Sequence, residues 1–118
     1  MTTEAWPSEW LRGVLELCVL HLLAEGPTYG YALATRLGDA GLGEVKGGTL
    51  YPLLGRLESA GLLETQWRAG EQGPGRKYFS LTARGREELG ERRTQWAAFT
   101  RTTTTLLDPH PPREDGTP

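Results

Sequence analysis

Apolar positions along this chain recur at helical spacing in four segments and alternate in one region between them, and each segment predicts an element. Trp10, Leu11, Val14, Leu15, Leu17, Cys18, Val19, Leu20, Leu22 and Leu23 recur at helical spacing, covering most of the circumference and leaving a narrow polar stripe with Arg12 and Glu16. The pattern predicts a helix from Glu9 to Glu25, with Ser8 as its cap and Glu9 in a first turn that favours negative charge. A helix so apolar must be covered on more than one side, and in a chain of 118 residues a partner subunit is a plausible cover. Gly26 and Pro27 end it. Thr28 then caps a second helix from Tyr29 to Leu37, with Leu33 and Leu37 inward, and Gly38 to Gly43 reads as a glycine-rich connector.

The stretch KGGTLYPLLGRLESAGLL, Lys46 to Leu63, returns to helical spacing. Leu50, Leu53, Leu54 and Leu57 form an inner stripe, and Gly61 is the expected stop. Proline is tolerated in a first turn, whose amides lack partners in any case, so Pro52 places the helix start nearby, with Thr49 or Gly48 as cap. The outer side carries Thr49, Tyr51, Pro52, Arg56 and Ser59. After Gly61 the period drops to two: Leu63, Thr65 and Trp67 alternate with Glu64, Gln66 and Arg68. The segment RKYFSL is the return strand of a β-hairpin, with Ala69 to Gly75 as its tip and Trp67 packing within it.

Thr82 can cap a last helix from Ala83 to Leu107. Leu89, Trp96 and Thr103, and Arg92, Phe99 and Leu106, stand seven apart in a broken heptad seam suited to dimerisation. The end, DPHPPREDGTP, is too rich in proline and charge to bury a core, which predicts a disordered tail. The expected division is an N-terminal arm at 1–8, a winged helix-turn-helix domain at 9–82, a dimerisation helix at 83–107 and the tail at 108–118. The fold class is mainly α with a small β-hairpin.

Charge sharpens this picture. The net charge is −2, yet it is unevenly placed. Residues 1–45 hold two basic against six acidic side chains, 46–86 seven against three, and 87–118 four against six. Positive charge is thus concentrated in the middle third of the chain, which is what a local electrostatic footprint on phosphate would look like. Glycines 47, 48 and 55 remove side chains that would hold a backbone away, and a helix N-terminus attracts phosphate. On the residues themselves the alternative stays open that Tyr51 packs on the hairpin and Arg56 pairs with a carboxylate.

Other chemistries find little support. A single cysteine, Cys18, offers neither a disulfide nor a thiolate cluster, and no metal site or cofactor is expected. His21 lies on an apolar helix and His110 in the tail, so no nucleophile and base pair and no catalytic residue is expected. The GDAGLG glycines lack the spacing of a dinucleotide loop. No apolar run is long enough to span a bilayer. The run from Val14 to Ala24 is interrupted by Glu16 and His21, lies within the chain and is followed by no small-residue cleavage site, so it does not read as a signal peptide. This points to a cytoplasmic protein without membrane partners.

The segments RGVLELCVLHLL (Arg12 to Leu23), GPTYGYAL (Gly26 to Leu33), GEVKGGTLYPLLGRLESAGLL (Gly43 to Leu63) and GPGRKYFSLTARGREEL (Gly73 to Leu89) together resemble the PadR-like transcriptional regulators. The likeness is to their short form with one C-terminal helix, and it runs in family order over roughly residues 10 to 90. It implies a homodimeric, sequence-specific repressor of a pseudo-palindromic double-stranded DNA operator. The helix from Thr49 to Ala60 would enter the major groove, with Tyr29 and Tyr31 near the phosphate backbone. Carried onto this chain, the DNA face comprises Tyr29, Tyr31, Lys46, Gly48, Thr49, Tyr51, Pro52 and Arg56, with Arg76 and Lys77 in the wing. Some relatives bind planar aromatic compounds between tryptophans of the last helix. Trp96 matches that position, with Trp10 and Phe99 as further candidates for an aromatic effector site, although Trp96 could equally be a packed seam residue. The competing class is a winged helix that binds protein without specific DNA binding.

Overall fold

A computed structural model describes residues 6–70 and 73–110. The first five residues of the expected arm, and the tail beyond His110, lie outside the described residues. The chain order is α1 (Ser8–Ala24), β1 (Thr28–Tyr29), α2 (Gly30–Leu37), α3 (Gly47–Ser59), β2 (Leu63–Arg68), β3 (Arg76–Leu81) and α4 (Ala83–Leu107). The architecture is a three-helix core, a small antiparallel sheet as its fourth wall, and one long C-terminal helix.

The leucine stripes do what their spacing predicts. Leu15, Val19, Leu20 and Leu23 of α1 meet Leu33 and Leu37 of α2 and Leu50, Leu53, Leu54 and Leu57 of α3 in one buried cluster, closed by Leu62, Leu63, Phe79, Leu81 and Leu89. Each fully buried leucine contributes about 1.5–3 kcal/mol relative to exposure, which makes this cluster the main source of stability.

Several boundaries differ from the sequence reading. Pro7, not Ser8, occupies the cap position of α1; its extended backbone leaves its carbonyl to accept from the amides of Trp10 and Leu11 at 3.0 and 3.2 Å. Thr28 does not cap α2 and Tyr29 does not join it: Tyr29 takes the cap position, and the two residues form a short strand beside β3, pairing Thr28 with Phe79 and Tyr29 with Tyr78, so the sheet has three strands in the order β1-β3-β2. The pre-helical residues are extended there because β3 would otherwise present an unpaired edge. The connector after α2 continues as a wide turn, Gly38–Leu42, broken at Gly41, whose φ of 106° favours glycine.

Pro52 does not mark the start of α3. The helix begins at Gly47, with Lys46 at the cap position accepting from the amides of Thr49 and Leu50, both at 2.9 Å. Pro52 lies in the second turn and has no N–H for the carbonyl of Gly48. Both residues are exposed, so water can serve that carbonyl.

Where α3 ends, α4 is tied to it. Gly61, at φ 81°, closes α3 as Leu62 donates back to Leu57 at 3.0 Å. Thr82 caps α4 as the sequence suggests, its hydroxyl accepting from the Gly85 amide at 2.9 Å. The same hydroxyl donates to the Gly61 carbonyl at 2.7 Å, and the Thr82 amide donates to Leu62 at 3.1 Å. Beyond this joint, Gly85 and Leu89 are buried, whereas the later heptad positions open outward: Phe99 is 58% and Leu106 80% exposed.

Candidate nucleic-acid interface

The outward face of α3 has Gly48, Pro52, Gly55 and Ser59 along its middle, Tyr51 on one flank, and Thr49 and Arg56 on the other, all exposed. A helix with a flat centre and longer flanking groups can lie close to a surface without its own side chains intervening. Lys46 stands exposed at its N-terminal end.

Tyr51 packs on α2, a contact the sequence alone does not reveal. Its ring lies over Gly30, the first residue of α2: a Cβ on Gly30 would fall within 2.7 Å of the ring carbon Cε1. This close approach buries Gly30 and explains the glycine between Tyr29 and Tyr31. The following Tyr31 is 74% exposed on the same side.

The hairpin holds its cations with aromatic rings. The Arg68 guanidinium lies 4.2 Å from the Tyr78 ring centre and that of Arg76 lies 4.4 Å from the Tyr29 ring centre, while Tyr78 and Tyr29 meet edge-on at 5.4 Å. Arg68, Tyr78, Tyr29 and Arg76 therefore form a ladder in which each cation is steered by a π face. Tyr29 is half-buried and acts as a platform for Arg76. Lys77 lies 3.9 Å from Glu58 of α3 and over Phe79.

Trp67 does not pack within the hairpin but stands out from it. It is 70% exposed and, with Tyr29, Tyr31, Tyr51, Arg76 and Lys77, lines a cleft of about 390 Å³ between α3 and the hairpin. The available signal was position: Trp67 shares a sheet face with Leu63 and Thr65 but lies one step beyond the core, opposite Lys77.

Arg56 is placed beside a carboxylate, the alternative its sequence allowed. Its Nε lies 3.4 Å from Glu16 of α1, whose other oxygen accepts from Arg92 of α4 at 3.1 Å. Arg92 also donates to Glu88 at 2.7 Å. Partial burial works against the Arg92 charge, but its bonds to Glu88 and Glu16 outweigh this and hold the guanidinium above its ordinary pKa.

The positions considered for an effector divide. Trp96 and Phe99 lie together, ring centres 5.8 Å apart, and line a recess of about 220 Å³ with Gly13, Leu17, Arg92 and Gln95. Trp10 does not line it; its ring sits 6.4 Å from Trp6, whose indole donates to the Gly41 carbonyl at 2.8 Å. Cys18 is partly buried, which pushes its thiol pKa up and keeps it protonated. Among the described residues no cluster of His, Cys, Asp or Glu could hold a metal ion, and no helix is long and apolar enough to cross a membrane.

Comparison with known proteins points one way. The family model described as the transcriptional regulator PadR-like family matches residues 19–91. The chain is 38% identical over 85 residues to the transcriptional regulator Rv3488 of Mycobacterium tuberculosis, covering 72% of this chain and 78% of that protein. A PadR-like transcriptional regulator of Bacillus cereus has a similar structure, with a TM-score of 0.77 at 37% identity, covering 86% of this chain and 99% of that one. A PadR family regulator of Eggerthella lenta gives a TM-score of 0.78 at 41% identity over 86% and 88% of the two chains.

Proposed function

The chain belongs to the transcriptional regulator PadR-like family, and from that premise we propose that it is a cytoplasmic homodimeric repressor of a pseudo-palindromic DNA operator. The family and its structural relatives are regulators, not enzymes. The observation that carries the DNA reading is the shared face of α3 and the hairpin. Three well-exposed aromatic rings, Tyr31, Tyr51 and Trp67, surround the exposed small residues of α3 beside Arg76 and Lys77.

On this reading α3 lies in the major groove, with Thr49, Tyr51 and Arg56 reaching base edges or flanking phosphates. Lys46 and Gly48 meet the backbone at the helix start, and Tyr29 holds Arg76 against the strand that passes the wing. Two such helices in a dimer address half-sites about 34 Å apart. A gel shift on the DNA upstream of the protein's own gene, run over a salt series, tests it. Specific binding that falls by about 10³ or more between 50 and 200 mM salt is expected for a protein making at least six phosphate contacts. Salt-insensitive or absent binding would favour the protein-binding alternative.

The second half of the proposal concerns release. The Trp96–Phe99 recess holds about 220 Å³, less than the 300–1,000 Å³ of typical small-molecule sites. Two recesses facing across a dimer would make one site able to sandwich a planar aromatic compound. Titration of flat aromatic compounds is expected to quench tryptophan fluorescence and release the operator, and Trp96→Ala should weaken that response about tenfold while leaving operator affinity unchanged. A library that moves neither signal removes the effector from the proposal.

A further inference from the structure

Glu16 lies on the polar stripe of α1, and its carboxylate is divided between two other helices. One oxygen faces Arg56 Nε at 3.4 Å, and the other accepts from Arg92 at 3.1 Å. The two sides are unequal. Arg92 is 30% exposed and is held additionally by Glu88 at 2.7 Å, whereas the Arg56 side chain is 63% exposed and the contact is longer. The carboxylate is thus anchored toward α4 and only loosely occupied on the α3 side.

We propose that Glu16 is a positioning residue that holds Arg56 in reserve, so that binding DNA requires Arg56 to pass from the Glu16 carboxylate to a phosphate. The idea rests on the reading of Arg56 as part of the DNA face. The exposed end of the divided carboxylate gives way first, because solvent and salt already screen it, while the Arg92 end stays. A carboxylate shared with Arg92 attracts Arg56 less than an unshared one would. Any event on α4 that takes Arg92 away returns the full negative charge of Glu16 to Arg56 and lowers DNA affinity. Arg92 also lines the Trp96–Phe99 recess, so a ligand there reaches α3 through two ion pairs without moving the fold.

The experiment measures binding to a labelled duplex of the DNA upstream of the protein's own gene that the gel shift retains, by fluorescence anisotropy at several salt concentrations. It compares wild type with Glu16→Gln, Arg92→Gln, Arg56→Ala and the doubles that combine each of the first two with the third. Glu16→Gln is expected to tighten binding about threefold per half-site, and so about tenfold on a two-half-site operator, the scale at which an exposed ion pair competes. Arg92→Gln is expected to weaken binding by a similar factor. Both effects should vanish in the Arg56→Ala background, which bulk charge changes would not do. Glu87→Gln, an exposed carboxylate elsewhere on α4, serves as the charge control and should change affinity less than twofold.

If Glu16→Gln leaves affinity unchanged while Arg56→Ala weakens it, the reserve idea fails and the DNA reading stands. If Glu16→Gln tightens binding equally without Arg56, the effect is general electrostatics and the idea also fails. If Arg56→Ala binds as wild type, Arg56 leaves the DNA face and the proposal falls with it, whereas loss of all salt-sensitive binding in wild type would sink the DNA reading itself. Should Glu16→Gln melt below assay temperature, the Arg92→Gln arm, with its opposite sign, decides the matter.

Discussion

Gly85→Ala is expected to lower the unfolding free energy by about 3 kcal/mol, the upper range for forcing atoms into a packed site. A Cβ at this position would overlap the backbone carbonyl of Leu62 and come within 2.9 Å of Leu81 Cδ2. A side-chain end can swing aside, but the Leu62 carbonyl is fixed by its bond from the Thr82 amide and by the closing turn of α3. The first turn of α4 would have to lift, straining the Thr82 cap and exposing Leu89. For a protein with a total stability of about 5–15 kcal/mol this is a large fraction. Urea melts should show a lower midpoint with an unchanged slope. Gly90→Ala on the same helix is the control, since nothing lies within 4 Å of a Cβ there. It should stabilise by up to about 1 kcal/mol through helix propensity. Two variants melting alike would mean that α4 does not approach Leu62 closely.

The second large effect is on DNA. Gly30→Ala is expected to keep the fold, within about 1 kcal/mol, and to lower operator affinity about 100-fold, from a loss of about 1–1.5 kcal/mol at each of two half-sites. The added methyl meets the ring of Tyr51, which is 53% exposed and therefore has solvent to swing into rather than breaking the core. Tyr51→Ala should lose a similar factor, and the double variant should be no worse than either, because both remove one ring position. Full affinity in Gly30→Ala with intact folding would show that the ring's seat over α2 is not what the operator meets.

How much of this was legible depends on whether a property is local or arises from two distant residues meeting. The leucine stripes of α1, α2 and α3 were readable because burial follows the 3.6-residue period, and the Thr82 cap was readable from one side chain at a helix start. Pro52 misled because proline only disfavours a helix interior, and the exposed Gly48 carbonyl makes its place in the second turn tolerable. The local pattern places Tyr29 in a helix because its strand partner, Tyr78, lies far along the chain. For the same reason the Gly30–Tyr51 contact and the Glu16 bridge between Arg56 and Arg92 left no periodic trace. The exposure of Trp67 is not legible from alternation, which assigns a sheet face but not whether the core still extends beneath it.

The Gly61–Thr82–Gly85 joint also has a mechanical meaning. One hydroxyl bonds both the end of α3 and the start of α4, so a rotation of one helix would be passed to the other, like the arms of a bent lever. The long arm, 25 residues, measures about 37 Å at 1.5 Å per residue. A tilt of only about 5° at the joint therefore sweeps its far end through about 3 Å. In the proposed homodimer, a displacement of that size at the far end of α4 would rotate each α3 by the same few degrees, and loosening the joint would uncouple the two helices without altering either one.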